Sequence, residues 1–249
     1  MLLALSTIYY PGYIQDEAEI NLKIGRAFDH DTSYETLVID ESETVIWKNR
    51  SIFIESWLYV EGNLILENTT LEFGKPAPGI NSLILSGMLK LRDLDNDKRS
   101  EQDASLIRVN DGGVIDIIPG NMVGQMEVNS SRIEGTNITG INIRVIDSIF
   151  RNSSIWDINY NSLFKNSQFK GAGNGVGLSH EKRMWTHIHG CVFEGYQTAI
   201  NLTNGSIGIK DSLIMNNSRG IFTGVNSTLA MENCSMRDSA ESIISNGEV

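Results

Sequence analysis

Apolar and polar residues alternate in short runs along most of this chain, and the runs recur with a fixed period. Between Trp185 and Val249 the segments His189–Gly195, Lys210–Asn216 and Glu232–Asp238 align without a gap. A second apolar run follows each of them, at Ala199–Leu202, Gly220–Thr223 and Ser242–Ile244. Cys191, Ser212 and Cys234 stand 21 and 22 residues apart, as do Ile200, Ile221 and Ile243. A period in this range, built on β-forming residues and punctuated by Asn, Gly and Ser, marks a solenoid of stacked coils. The pattern predicts an all-β chain wound as a right-handed, single-stranded parallel β-helix. Ile188, Ile209 and Met231 form one inward ladder, and Cys191, Ser212 and Cys234 form another.

The same grammar runs backwards along the chain. Val45–Trp47, Ser51–Ile54, Trp57–Val60, Leu64–Leu66 and Thr70–Phe73 are short β-rich runs separated by single turn residues, a spacing that suits continuous winding better than hairpins. Coils resume at Val114–Ile118 and Gln125–Val128, then at Ser131–Gly135, Asp147–Asn152 and Asn166–Gly171. Residues 1–43 carry no repeat and are expected to be a lead-in or capping segment; residues 44–249 are expected to be the β-helix. A turn-rich loop at Lys75–Gly79 and a charged insertion at about 92–104 interrupt it. The last coil ends at Ser242–Val249 with its edge uncovered, which predicts docking through that coil onto a second copy or another surface protein.

The element Asn/Asp-Ser/Cys-x-apolar-x-Asn/Gly followed by Gly/Ala-Ile-x-apolar, as at Asp211–Asn216 and Gly220–Phe222, resembles the right-handed β-helix repeats of the carbohydrate-binding and sugar-hydrolase group. That group includes pectate-lyase-like enzymes and the NosD-like copper-accessory proteins. The resemblance covers 125–249 well and 44–124 loosely. It implies a fold; the same coils carry enzymes, adhesins and structural surface proteins.

Composition narrows the function classes. A net charge of −11 and a pI near 4.8 argue against nucleic acid as a partner, which demands clustered Lys and Arg. With 41% apolar residues a continuous core can form. No stretch reaches the length of a membrane-spanning helix. The start, Met1–Pro11, has a short apolar run without a basic residue ahead of it, so it is read as at most the remnant of a secretory signal or a start inside a longer gene. Cys191 and Cys234 fall two coils apart, about 9.6 Å at sheet spacing, beyond the reach of a disulfide, and are predicted to be free thiols.

Three features carry candidate chemistry. His187 and His189 point outward on one strand, beside Trp185, where with His180 they could share a copper or zinc ion. Asp93, Asp95 and Asp97 alternate as in a Ca²⁺ loop, but Lys98 stands where such a loop wants Gly and Ala104 where it wants Glu, so a solvated acidic loop is the expected state. Asn-x-Ser/Thr sequons begin at Asn49, Asn68, Asn129, Asn137, Asn152, Asn201, Asn204, Asn216, Asn226 and Asn233, a density that suggests N-glycosylation unless corner geometry alone selects Asn followed by Ser.

These features lead to a non-catalytic, extracellular cell-surface protein: a glycosylated structural or adhesive β-helix, plausibly archaeal, assembling end to end and offering carbohydrate contacts. The alternative is a polysaccharide lyase or glycoside hydrolase using the acidic insertion or the His187/His189 pair, with Ca²⁺ as its conceivable cofactor. A second alternative is a NosD-like metal-handling accessory protein.

Overall fold

The computed structural model describes residues 32–74, 81–93, 104–109, 114–117, 125–159, 162–181 and 185–246. All 25 strands of these residues join one parallel, coiled sheet. Each coil contributes a strand to three faces in turn. The first face stacks Thr44–Lys48, Asn63–Glu67, Met88–Arg92, Gln125–Asn129, Ile143–Ile146, Leu163–Lys165 and Trp185–His189 beneath the second halves of Thr198–Lys210 and Arg219–Glu232. The second face runs from Ser51–Ile54 through Arg132–Glu134 and Gln168–Lys170 to Ser235–Arg237. The third runs from Trp57–Val60 to Glu241–Ser245.

Stacking begins ahead of Thr44. Thr32–Ile39 pairs with Ser51–Val60, bringing Leu37 opposite Leu58 and Ile39 opposite Val60. Residues 1–31 of the expected lead-in or capping segment lie outside the described residues.

Alternation sorts the side chains. Leu64, Leu89, Met126, Ile143 and Ile207 point inward on the first face and are essentially inaccessible, as are Leu71, Ile107, Ile133 and Ile214 on the second. In the middle coils the second-face ladder becomes aromatic. Phe150, Phe169 and Phe193 stack with centroids 5.0 and 4.5 Å apart, the upper pair within 4° of parallel.

Corners explain the Asn-rich grammar. Asn49, Asn68, Asp147, Asn166, Asp211 and Asn233 turn the chain between the first and second faces and Asn152 and Asn216 between the second and third, all left-handed with φ between 46° and 54°. Asn and Asp tolerate that region because their short polar side chains bond locally. At five of these turns the following position holds Thr69, Ser148, Ser153, Ser167 or Ser212, a small inward residue whose hydroxyl closes the turn. Ser148 Oγ donates to the Ile146 carbonyl at 2.7 Å and accepts from the Ser131 amide at 3.2 Å. Ser167 and Ser212 repeat the pattern. Cys191 occupies the same ladder, buried and free, and Cys234 is free and half-buried in the last coil. Among the described residues no helix is long and apolar enough to cross a membrane.

Candidate active site

The first face gathers the densest reactive chemistry near its upper end. Strand Trp185–His189 alternates outward Trp185, His187 and His189 with inward Thr186 and Ile188. In register, Lys165 lies opposite His189 on the strand below and Lys210 opposite it on the strand above. Strand spacing sets such neighbours about 4.8 Å apart.

His189 Nε2 stands 2.9 Å from Asp211 Oδ2 on the next coil. The contact depends on a local vacancy: Gly190 takes the corner at φ 65°, and a Cβ there would lie 2.6 Å from Asn166 Oδ1. Equivalent corners carry Asn or Asp whose side chains bridge coils, as Asn166 Nδ2 does to Asp147 Oδ1 at 3.1 Å. At Gly190 the imidazole of His189 makes the bridge instead. Its hydrogen bond, followed by one from Asn233, holds the Asp211 carboxyl below its ordinary value. With Nε2 committed to a carboxylate, Nδ1 is the nitrogen left to take a proton. Lys210 donates to Glu232 Oε1 at 2.8 Å, which raises its own pKa, so both acids beside His189 are engaged.

Trp185 is 48% exposed, and its ring lies 6.3 Å from that of His187, the planes within 18°. The strands above set only Ser206 and Gly208, then Thr228 and Ala230, opposite this pair. A Cβ on Gly208 would meet nothing closer than His187 Nδ1 at 3.8 Å. The result is a low, open shelf beside an aromatic ring, bounded by the His189–Asp211 pair.

The proposed three-histidine metal set does not come together. His180 ends a third-face strand and is fully buried, whereas His187 and His189 stand outside on the first face. Among the described residues no group of three His, Cys, Asp or Glu side chains is placed to hold a metal ion. Asp93 is buried at the edge of the charged insertion; Asp95 and Asp97 lie outside the described residues. Of the sequon residues, Asn49, Asn68, Asn152, Asn216 and Asn233 occupy left-handed corners, so the fold itself accounts for much of their density. Asn201 is tied to Ser179 Oγ at 3.1 Å and Asn204 is half-buried. Asn129 ends a first-face strand, and Asn137 and Asn226 are exposed.

No protein-family model matches this sequence, and no curated protein matches it. Solved structures do match in fold. The periplasmic alginate epimerase AlgG is 8% identical, with 82% of this chain aligned to 77% of that one at a TM-score of 0.36. A mannuronic acid specific polysaccharide family 6 lyase from human gut microbiota is 9% identical, with 81% of this chain aligned to 74% of that one at a TM-score of 0.28. At these values the likeness is one of coil architecture. It agrees with the pectate-lyase-like β-helix resemblance of the repeats. The expectation of a non-catalytic structural or adhesive protein is set aside: the structures that share this coil architecture are an alginate epimerase and a polysaccharide lyase, and the likeness to them is one of fold alone. At five of the ten sequons a left-handed corner calls for Asn whether or not a glycan is attached.

The His189–Asp211 pairing is the contact on this face that the sequence did not reveal. Alignment of the repeats places Gly190 and Asp211 at one corner position, which reads as structural. Only the glycine gap below shows that the carboxylate is reached by a histidine.

Proposed function

We propose that this β-helix is a polysaccharide lyase acting on a uronate-containing polymer at its first face. The observation that carries the reading is His189, hydrogen-bonded to Asp211 and flanked in register by Lys165 and Lys210. Cleavage by elimination needs a base for the proton on the carbon beside the sugar carboxylate, and positive charge to stabilise the carboxylate as that proton leaves. His189 Nδ1 is the base in this scheme, oriented by Asp211. Lys165, exposed on the strand below, meets the sugar carboxylate. As the C–H bond breaks, its electron pair forms a carbon–carbon double bond and the glycosidic C–O bond opens. The departing oxygen takes a proton from water and becomes the hydroxyl of the shortened chain, and His189 returns the proton it gained to the hydroxide left behind. Trp185 offers an apolar ring face for the adjoining sugar.

A glycoside hydrolase is the weaker variant, because it needs two free carboxyl groups facing across the scissile bond. Asp211 and Glu232 are each held by a base on this face. An extracytoplasmic location fits a polymeric substrate.

Incubation with polygalacturonate and polymannuronate, with and without Ca²⁺, followed at the ultraviolet absorbance of unsaturated uronate, tests the proposal. The expected result is turnover that falls by about 10²-fold or more in His189→Ala. Absence of unsaturated product across both polymers, or full turnover in His189→Ala, would overturn it.

A further inference from the structure

The corner between the second and third faces is built to one plan in most coils. Gly135, Asn152, Gly195 and Asn216 all take positive φ, and the next residue, Thr136, Ser153, Tyr196 or Asn217, turns inward and is buried. Within this run, the coil between Asn152 and Gly195 breaks the plan. Gly171 does not enter the left-handed region; Gly173 and Gly175 do so instead, at φ 89° and 71°. Ala172, which should point inward, is exposed along with residues 173–175.

The place vacated inside is filled from the coil above. Tyr196 is buried, and its hydroxyl donates to the Ser153 carbonyl at 3.0 Å, two coils below, across the level Ala172 would occupy. Gly171 is required beneath it: a Cβ would fall 2.7 Å from Tyr196 Cδ1 and 2.4 Å from the Gly195 carbonyl oxygen. The core therefore closes without this coil's inward rung, and the freed loop rises as a lip.

Behind the lip lies a cavity of about 260 Å³, the size of a sugar ring or two. Asn137, Asn152, Asn174 and Ser154 line it over a floor of glycines and Tyr196. Other corner amides are spent on the stack: Asn217 Nδ2 donates to the Met215 carbonyl at 2.8 Å, and Asn216 bonds Glu194 at 3.0 Å. Among the described residues, the side-chain amides of Asn137, Asn152 and Asn174 bond to nothing. Positive charge stands immediately before the corner. In register on the second face run Glu134, Arg151, Lys170 and Glu194. Glu134 lies 3.2 Å from Arg108, 3.8 Å from Arg151 and 4.0 Å from Arg132, and Glu72 lies 4.0 Å from Arg108. Lys170 has no ion-pair partner among the described residues.

We infer that this cavity is a second carbohydrate-binding site, separate from the first face, that takes an acidic sugar unit. Free amides and a hydroxyl match sugar hydroxyls, a glycine floor allows close approach to backbone, and Lys170, immediately before the corner, matches a carboxylate. The inference deepens the polysaccharide reading and rests on it for the ligand class. Holding the polymer at a corner away from the reacting face raises its local concentration there.

Calorimetry with tetragalacturonate, tetramannuronate and neutral cellotetraose tests this, using the full chain in a Trp185→Ala, His189→Ala background that silences the first face. One of the acidic tetramers is expected to bind, and Asn174→Ala or Lys170→Gln to weaken it by about ten-fold or more at unchanged melting temperature. Failure of both acidic tetramers to bind, equal affinity in both corner variants, or equal affinity for cellotetraose would each overturn the inference. Turnover by the unmodified chain is scored separately. Corner-dependent binding without any turnover leaves this site standing and removes the lyase reading; turnover without corner-dependent binding does the reverse.

Discussion

His189 and Asp211 sit on successive coils, and their contact can be followed by titration. The hydrogen bond from His189 is the first cause of the lowered Asp211 pKa. A depressed carboxyl contributes stability that is fully present above its unfolded value, given by the ordinary 3.8, and lost as the pH falls through the folded value. In His189→Ala the Asp211 titration, read by carboxyl-carbon NMR, is expected to move up toward 3.8; an unmoved titration would place the cause elsewhere. Cys191 gives a second residue-level test. Burial pushes its thiol up to about 11, so little thiolate exists near neutrality. A thiol reagent at pH 8 is expected to label Cys234, half-buried in the last coil, well before Cys191. The outward pair His187/His189 and the two free thiols were legible in the sequence, because strand alternation fixes direction. The partner of His189 was not, since it depends on a missing side chain at Gly190.

Within single elements, energy concentrates where identical side chains stack. Phe169 lies between Phe150 and Phe193 and meets Phe164 edge-on at 5.8 Å. Truncating it leaves a ring-sized void in a rod that cannot collapse sideways, and Phe169→Ala is expected to cost about 3–5 kcal/mol by chemical denaturation. Ser148→Ala removes a hydroxyl that donates to the Ile146 carbonyl and accepts from the Ser131 amide. It leaves a buried amide without an acceptor, for an expected loss of about 1–3 kcal/mol. Strand positions from Thr44 onward followed from the apolar alternation. Less visible was that Thr198–Lys210 and Arg219–Glu232 bend across a corner as continuous strands, because Asn204-Gly205 and Gly224 read as loop residues. The sequence also hid the displaced loop at 172–175. Its residues look like an ordinary Gly-rich turn, and the side chain that permits it, Tyr196, lies in the next coil.

The molecule as a whole is quasi-one-dimensional, since each coil touches only its neighbours apart from long reaches such as that of Tyr196. Asp147 and Asn166 hold equivalent corners, so excising Asp147–Lys165 joins Ile146 to Asn166 in unbroken register. That deletion is expected to yield a folded, shorter rod with a β-type circular dichroism spectrum. Excising Asp147–Ser154 alone, which misaligns the faces, is expected to give aggregated protein. The fold was legible at this scale because a solenoid writes its period directly into the chain. The corner cavity was not, because it arises where a coil departs from the period.

The tyrosine that spans the vacated rung has a practical consequence. By closing the core from a neighbouring coil, Tyr196 separates the length of the 172–175 loop from the spacing of the stack. A foreign peptide grafted between Gly173 and Asn174 would therefore be displayed from the side of the rod without shifting a single strand, making this the natural port for engineering the scaffold.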